Sequence, residues 1–280
     1  PNSEWEVESA KRENESEYVM FNVAPSAESN RVDRSTPISP ASSYFAQTSL
    51  KELGHLSVPQ RSYEFVARRP DGTIFMGQSR APAVALFENA FSAFARGTLV
   101  QTTNGEIAVE DLQPGDHILD VDGQPSPVLW IGSSSFIPAD TGRRTPLVRV
   151  MADSFGQGRP SGFPTFGPAA RVLHTPMAMR GDQSPKPVLT SLYDLIDGIN
   201  IIEISPPTPV QLFHLCLKRH SVVCVNGLEL ETYHPGQNTL RDIPLHMRDK
   251  LLSMFPHIKK LDDFGPLNYR RAVQVRTPAA

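Results

Sequence analysis

The chain has 280 residues, 39% of them hydrophobic and 20% charged, with a net charge of −3. That balance suits a globular protein with room for one large domain or two small ones. It excludes a broad nucleic-acid surface, which needs clustered positive charge, and the basic side chains Lys259, Lys260, Arg270, Arg271 and Arg276 read as a solvated tail.

Two cysteines, Cys216 and Cys224, leave no disulfide framework and suit a reducing compartment. No stretch approaches the ~20 apolar residues of a membrane helix, and the polar, acidic start lacks the basic-then-apolar layout of a signal peptide. A cytoplasmic location without a transmembrane segment is the expectation.

Along the chain, residues 1–40 carry eight acidic and four basic side chains and few apolar anchors, and "STPISPASS" continues them as a linker. Such a segment cannot bury enough surface to offset its ordering entropy, so residues 1–57 are expected to form a disordered acidic arm. Order begins in a β-hairpin lead-in, 58–92, where "SYEFVARRPDGTIFMGQ" places two β-prone runs around Pro70-Asp71-Gly72. "APAVALFENAFSAFA" reads either as a short helix or as an extended lead-in.

From Gly97 strands dominate. Asn104-Gly105 sits between two alternating runs, and "LQPGDHILDVDGQPSPVLWIG" supplies a Pro-Gly turn, a strand, an Asp-Gly turn and another strand. Residues 134–159 read as loop-rich around a strand at "PLVRVMA", and a Gly/Pro cluster leads to the strand "ARVLHT". In "VLTSLYDLIDGIN" the spacing of Leu192, Leu195 and Ile196 predicts a helix ended by Gly198. Strands resume at "INIIEI" and "QLFHLCLKRHSVVCVNGLELE". Residues 236–280 form a C-terminal helix and tail, with Pro244 in the first turn and Met247, Leu251, Leu252 and Phe255 along one face. The fold class is mainly β, with twisted antiparallel strands and a few short helices.

Chemistry-bearing constellations are sparse. His214, Cys216, His220 and Cys224 are metal-ligand types on even positions, which one continuous strand would point to one face. A turn expected at Lys218-Arg219 splits them, and the tight C-x-x-C knuckle is missing, so two core cysteines and two hydrogen-bonded histidines are the favoured account. "DVDG" (Asp120–Gly123) opens like a calcium loop, but loop position 12 falls on Ile131, where a glutamate is required. No G-x-S-x-G, phosphate loop or H-E-x-x-H occurs, and no cofactor is expected.

The remaining signal is an ordered series. "FARGTLVQTTNGEIAVEDLQPGDHILDVDGQPSPVLWIG", "FGPAARVLHTP" and "FHLCLKRHSVVCVNGLELET" follow one another from Ala93 to Pro235. The series resembles the hedgehog/intein (Hint) superfamily, and most of all bacterial Hint-domain proteins. The resemblance implies a Hint-like β domain over 93–235 and a test for self-processing. In that chemistry a Cys, Ser or Thr at the head of the first block attacks its own preceding carbonyl, a T/S-x-x-H block supplies the general acid, and inteins end in His-Asn. Matched by position, the nucleophile falls on Ala93, the internal hydroxyl residue on Gly167, the internal His on Ala170 and the terminal pair on Glu231-Thr232, while His220 is retained.

The resulting expectation is a non-processing (pseudo) Hint domain. It has no catalytic residues and acts as a structural or protein-binding module through the N-terminal arm or the C-terminal helix, with no nucleic-acid partner. The alternatives are a self-cleaving domain using Ser92 with His220, and a metal-binding β domain. Ser92 lies one residue upstream of the family's nucleophile, which changes the carbonyl it would attack. Near-attack placement is worth on the order of 7–11 kcal/mol in such reactions.

Overall fold

The computed structural model describes residues 58–176, 186–236 and 243–272. The arm expected at 1–57 lies outside the described residues.

The Asp71-Gly72, Asn104-Gly105 and Asp122-Gly123 signals each close a hairpin. β1 (Gln60–Arg68) and β2 (Ile74–Pro82) pair antiparallel from Gln60 opposite Pro82 to Arg68 opposite Ile74. Gly72 supplies φ +86° in their turn, and Asp71 Oδ1 accepts from the Thr73 amide and hydroxyl. A four-residue helix, α1 (Ala85–Glu88), leads to β3 (Phe94–Ala95), β4 (Leu99–Thr102), β5 (Gly105–Ala108), β6 (His117–Leu119) and the long β7 (Pro125–Phe136). Then come β8 (Leu147–Val150), β9 (Thr165–Phe166), β10 (Arg171–His174), β11 (Val188–Ser191) and β12 (Ile201–Ile204). β13 (Val210–Leu217), β14 (Val222–Val225), β15 (Leu228–Glu231) and α2 (Leu245–Leu252) complete the order.

The strands form one continuous antiparallel system, β11-β10-β15-β14-β4-β6-β7-β13-β3-β9-β8-β12, with β5 on β4 and the β1–β2 hairpin on β7. β7 joins its two halves. Pro125–Pro127 pair with β6, and the remainder pairs with β13 and β1. Where the strand passes from one half to the other, Cys216 opposes Trp130 and Leu217 opposes Val128, leaving Leu129 as the extra residue of a bulge. A bulge bends and twists its strand, which lets one strand serve both halves.

Two apolar clusters fill the fold. One gathers Ala93, Phe94, Val100, Ile118, Phe166, Ala170, Leu215, Val223 and Leu230. The other gathers Tyr63, Phe87, Phe91, Trp130, Tyr233, Leu251, Met254 and Phe255. Trp130 is fully buried, stacks on Phe255 at 4.4 Å between ring centroids, and donates from Nε1 to the Met254 carbonyl at 2.7 Å. The hairpin, α1 and the α2 region thus share one core, and the Met247 and Leu251 face of α2 is covered within the chain. Leu252, expected on that face, is only half-buried.

Of the two readings of 81–95 the short helix is found: β2 ends at Pro82, and the four residues of α1, a turn and the two-residue β3 follow. One helix expectation needs correction. The helix expected over 188–198 is instead strand β11, followed by a single 3-10 turn at Leu192–Leu195. Its partner decides this: Leu189 pairs with Leu173 on β10, and Ser191 caps the turn by accepting from the Tyr193 amide. Residues 134–136 belong to β7, not to a loop. Among the described residues no helix is long and apolar enough to cross a membrane.

Candidate functional site

The Ser92–Ala93 peptide, just ahead of β3, is hydrogen-bonded at both its carbonyl and its amide. Ser92 is fully buried, and its hydroxyl donates to the Glu88 carbonyl at 2.6 Å, one helical turn back. The Ala93 amide donates to the Phe213 carbonyl at 2.9 Å. The Ser92 carbonyl accepts from the Ala169 amide at 3.0 Å, and the Ala93 carbonyl accepts from the Gly167 amide at 2.8 Å. The Ser92–Ala93 peptide therefore lies against the 167–170 turn, where the sequence places the internal block.

Beside that peptide Ala93 and Ala170 present methyl groups and Gly167 only hydrogen. Ala93 and Ala170 are 0% and 1% exposed and belong to the apolar core. Gly167 has a further role: a Cβ added there would collide with the Ser92 carbonyl oxygen. The peptide occupies space that a side chain at position 167 would need.

His214, on β13, is the histidine beside this segment. Its ring packs edge-on against Phe94, with centroids 5.6 Å apart. Nδ1 donates to the Asn89 carbonyl at 2.9 Å, which makes Nε2 the acceptor nitrogen of a neutral ring. Burial pushes its pKa down to about 4, partly opposed by that hydrogen bond, so the ring is neutral at pH 7. Nε2 is buried and has no hydrogen-bond partner among the described residues.

His220 sits elsewhere, in the turn after β13. Its Nδ1 accepts from the Asn268 amide at 3.1 Å, and its Nε2 donates to Glu231 Oε1 at 2.8 Å. With both nitrogens engaged it is not poised to take a proton from Ser92. Cys216 is buried on β13, its thiol 3.8 Å from the Tyr233 carbonyl and raised well above its usual pKa by burial. Cys224 lies on β14, only half-buried. Among the described residues no three His, Cys, Asp or Glu side chains converge to hold a metal ion, so the metal reading of His214, Cys216, His220 and Cys224 has no geometric support.

The terminal pair of the family pattern has other work here. The Glu231 side chain is 1% exposed and gathers three partners: His220 Nε2 at 2.8 Å, Arg271 Nε at 2.8 Å and Arg171 Nη1 at 3.3 Å. Burial alone would raise its pKa; the His220 hydrogen bond and the two guanidinium groups outweigh burial and hold it at about 2. The Thr232 hydroxyl accepts from the Ser221 amide and donates to the Ser221 carbonyl, both at 3.0 Å. Neither residue offers the side-chain amide that terminal cyclisation requires.

Two cavities flank this hub. One, of about 210 Å³, is lined by Cys216, Lys218, His220, Tyr233 and His257. The other, of about 100 Å³, is lined by Ala85, Leu86, Arg171, His214, Tyr233 and Arg271. Sequence reasoning missed Arg171 and Arg271 as partners of Glu231; β15 alternates leucine and glutamate, and nothing in that pattern marks Glu231, and not Glu229, as the buried one.

The family model described as "Hint domain" matches residues 92–237. No curated protein sequence matches the chain. Among solved structures, the bacterial intein-like domain from Clostridium thermocellum is 12% identical, with a TM-score of 0.33, covering 51% of this chain and all of its own. The gp41-1 intein is 14% identical, with a TM-score of 0.32 over 51% of this chain and 98% of its own. The MchDnaB-1 intein is likewise 14% identical, with a TM-score of 0.31 over 50% of this chain and 100% of its own. Those scores are too low to support a residue-level comparison, and the assignment rests on the match across half the chain. The chain belongs to the Hint domain family.

Proposed function

We propose that this Hint domain does not process itself and serves as a structural or protein-binding module. The observation that supports this reading is the setting of the Ser92–Ala93 peptide. The bond that the family's chemistry would attack is a hydrogen-bonded, fully buried part of the core, flanked by the methyl groups of Ala93 and Ala170. Methyl groups neither attack a carbonyl nor protonate a leaving nitrogen. Ser92 is a poor substitute nucleophile because its proton is committed to the Glu88 carbonyl and His220 is committed to Glu231 and Asn268. On this reading the acidic arm and the polar side of α2 are the contact elements for a protein partner.

The test is the intact mass of the full chain, measured under denaturing conditions after a day with and without thiol or hydroxylamine. An unchanged mass in every condition is expected. A species cut at Phe91-Ser92 or Ser92-Ala93, lost in Ser92→Ala, would overturn the reading in favour of a self-cleaving domain.

A further inference from the structure

β2 is an open sheet edge. Among the described residues it pairs only with β1, over nine consecutive positions with no break in register. The hydrogen bonds that flank this ladder fix its phase: the Ala83 amide donates to the Pro59 carbonyl and the Arg69 amide to the Thr73 carbonyl, both at 2.8 Å. Bonded and non-bonded pairs alternate along an antiparallel ladder, so the odd-numbered residues of the hairpin bond each other. The amides and carbonyls of Ile74, Met76, Gln78 and Arg80 therefore point away from β1, and none has a hydrogen-bond partner among the described residues.

Proteins usually blunt such an edge with lysines, a proline, a bulge or a covering segment. β2 carries one charge, Arg80, and its one proline, Pro82, only closes its end. Instead the edge is apolar at its centre: Ile74 is 53% and Met76 79% exposed. Val66, opposite Met76 on β1, widens that stripe. Beyond it Arg80 stands exposed at one end and Asp71, in the turn, at the other. Asp71 uses Oδ1 for Thr73, which leaves Oδ2 open.

An edge of this kind is complementary to itself. A two-fold axis at Met76 sets two β2 strands antiparallel, with Met76 facing the partner's Met76 and Ile74 facing the partner's Gln78. The outward amides and carbonyls at 74, 76 and 78 then find their counterparts, as an isologous contact requires. The two apolar stripes merge, and Arg80 falls opposite the partner's Gly72, beside Asp71, so opposite charges meet at both ends. An axis at Gln78 would instead bring together the two Glu64 carboxylates that Gln78 holds at 3.3 Å. An axis at Gly77 would face Ile74 with Arg80 and part the stripes.

We propose that β2 is a self-association edge, to which a second copy of this chain adds antiparallel, centred on Met76. The pairing goes beyond the question of self-processing and stands whether or not the Ser92–Ala93 bond is ever cut. A contact one strand wide is smaller than the ~800 Å² per partner of a standard interface, so the dimer is weak and forms with rising concentration.

Sedimentation equilibrium of the full chain, from micromolar to millimolar, reads the association. The mass is expected to rise from that of one chain towards that of two. Gln78→Pro removes an outward amide and no bond of the hairpin, and Met76→Lys sets two like charges on the axis. Each is expected to weaken association at least about tenfold with an unchanged thermal midpoint. Cysteine pairing reads the register, in a Cys224→Ser background that leaves only the buried Cys216. On air oxidation Met76→Cys is expected to form a covalent dimer, because the facing Cα atoms, about 5.5 Å apart, lie within disulfide reach. Ile74→Cys, four positions or roughly 13 Å from its own counterpart, is expected not to. A chain that stays monomeric throughout would overturn the proposal and leave the edge to a strand of another protein. Undiminished association in both Gln78→Pro and Met76→Lys, failure of Met76→Cys to link, or linking of Ile74→Cys as readily would each overturn it too.

Discussion

Glu231→Gln tests whether the buried charge hub holds the closing strands in place. Glutamine keeps the shape and one acceptor for His220, but it leaves Arg171 and Arg271 facing each other without a counter-charge. Removing one member of a buried ionic cluster costs on the order of 3–5 kcal/mol. Linkage gives an independent figure. The carboxyl is held at about 2 in the folded protein against an ordinary value of 4.5. At 1.36 kcal/mol per pH unit, that difference is worth about 3 kcal/mol.

The sign follows from the depressed pKa. The contribution is fully present above pH 4.5 and is lost as pH falls through about 2, because the unfolded chain takes up the proton first. His214 and His257, both pushed down to about 4 by burial, also lose stability on acidification, but from pH 6.5 down to about 4. The difference between the wild type and Glu231→Gln removes their contribution. Urea unfolding across a pH series should show the variant about 3 kcal/mol less stable at pH 7, with the gap closing from pH 4.5 towards 2. A gap below about 1 kcal/mol, or one that does not change with pH, would refute the reasoning.

Three other substitutions probe the seat of the Ser92–Ala93 peptide and the lead-in. Ser92→Ala removes the buried hydroxyl bond to Glu88, which should cost about 1 kcal/mol in denaturant unfolding and leave the intact mass unchanged apart from the substitution. Gly167→Ala drives a methyl group into the Ser92 carbonyl, a backbone neighbour that cannot swing aside, and should cost roughly 1–3 kcal/mol by the same measurement. Glu88→Gln removes the acid that meets Arg61 at 3.0 Å and Arg144 at 3.2 Å; the Arg144 side chain is 1% exposed. Asp140 remains as partner to both arginines, so a thermal-midpoint loss equivalent to about 2 kcal/mol is expected, short of the cost of an uncompensated buried charge.

Local chemistry made much of this fold legible. Asn104-Gly105 reads as a hairpin turn because glycine accepts positive φ, and Gly105 adopts +102° between β4 and β5. Pro70-Asp71-Gly72 is readable in the same way. The segment 188–198 was not, because leucines at helical spacing also suit a strand followed by one tight turn, and only its pairing to Leu173 on β10 decides between them. That Ala93 and Ala170 stand where the resemblance puts the nucleophile and the internal histidine can be read from the sequence. The hub cannot: Glu231 meets Arg171 across 60 residues and Arg271 across 40, and no spacing rule links them. The even position of His214 groups it with the cysteines, yet its ring meets Asn89 and Phe94, more than a hundred residues earlier, and Tyr233 on the far side of the next hairpin.

The hairpin ahead of Ser92 gives the domain a property of its own. Through Glu64–Ala67 it adds a strand to β7, and its Tyr63, with Phe87 of α1 and Phe91 beyond it, sets aromatic rings beside Trp130. The chain upstream of the family's cleavage point is thus a structural part of the domain and not a passenger waiting to be released. Breaking the Ser92–Ala93 bond would yield a nicked but assembled protein whose two pieces separate only on unfolding. A domain packed this way would hold its two segments together through their shared core, with or without an intact backbone.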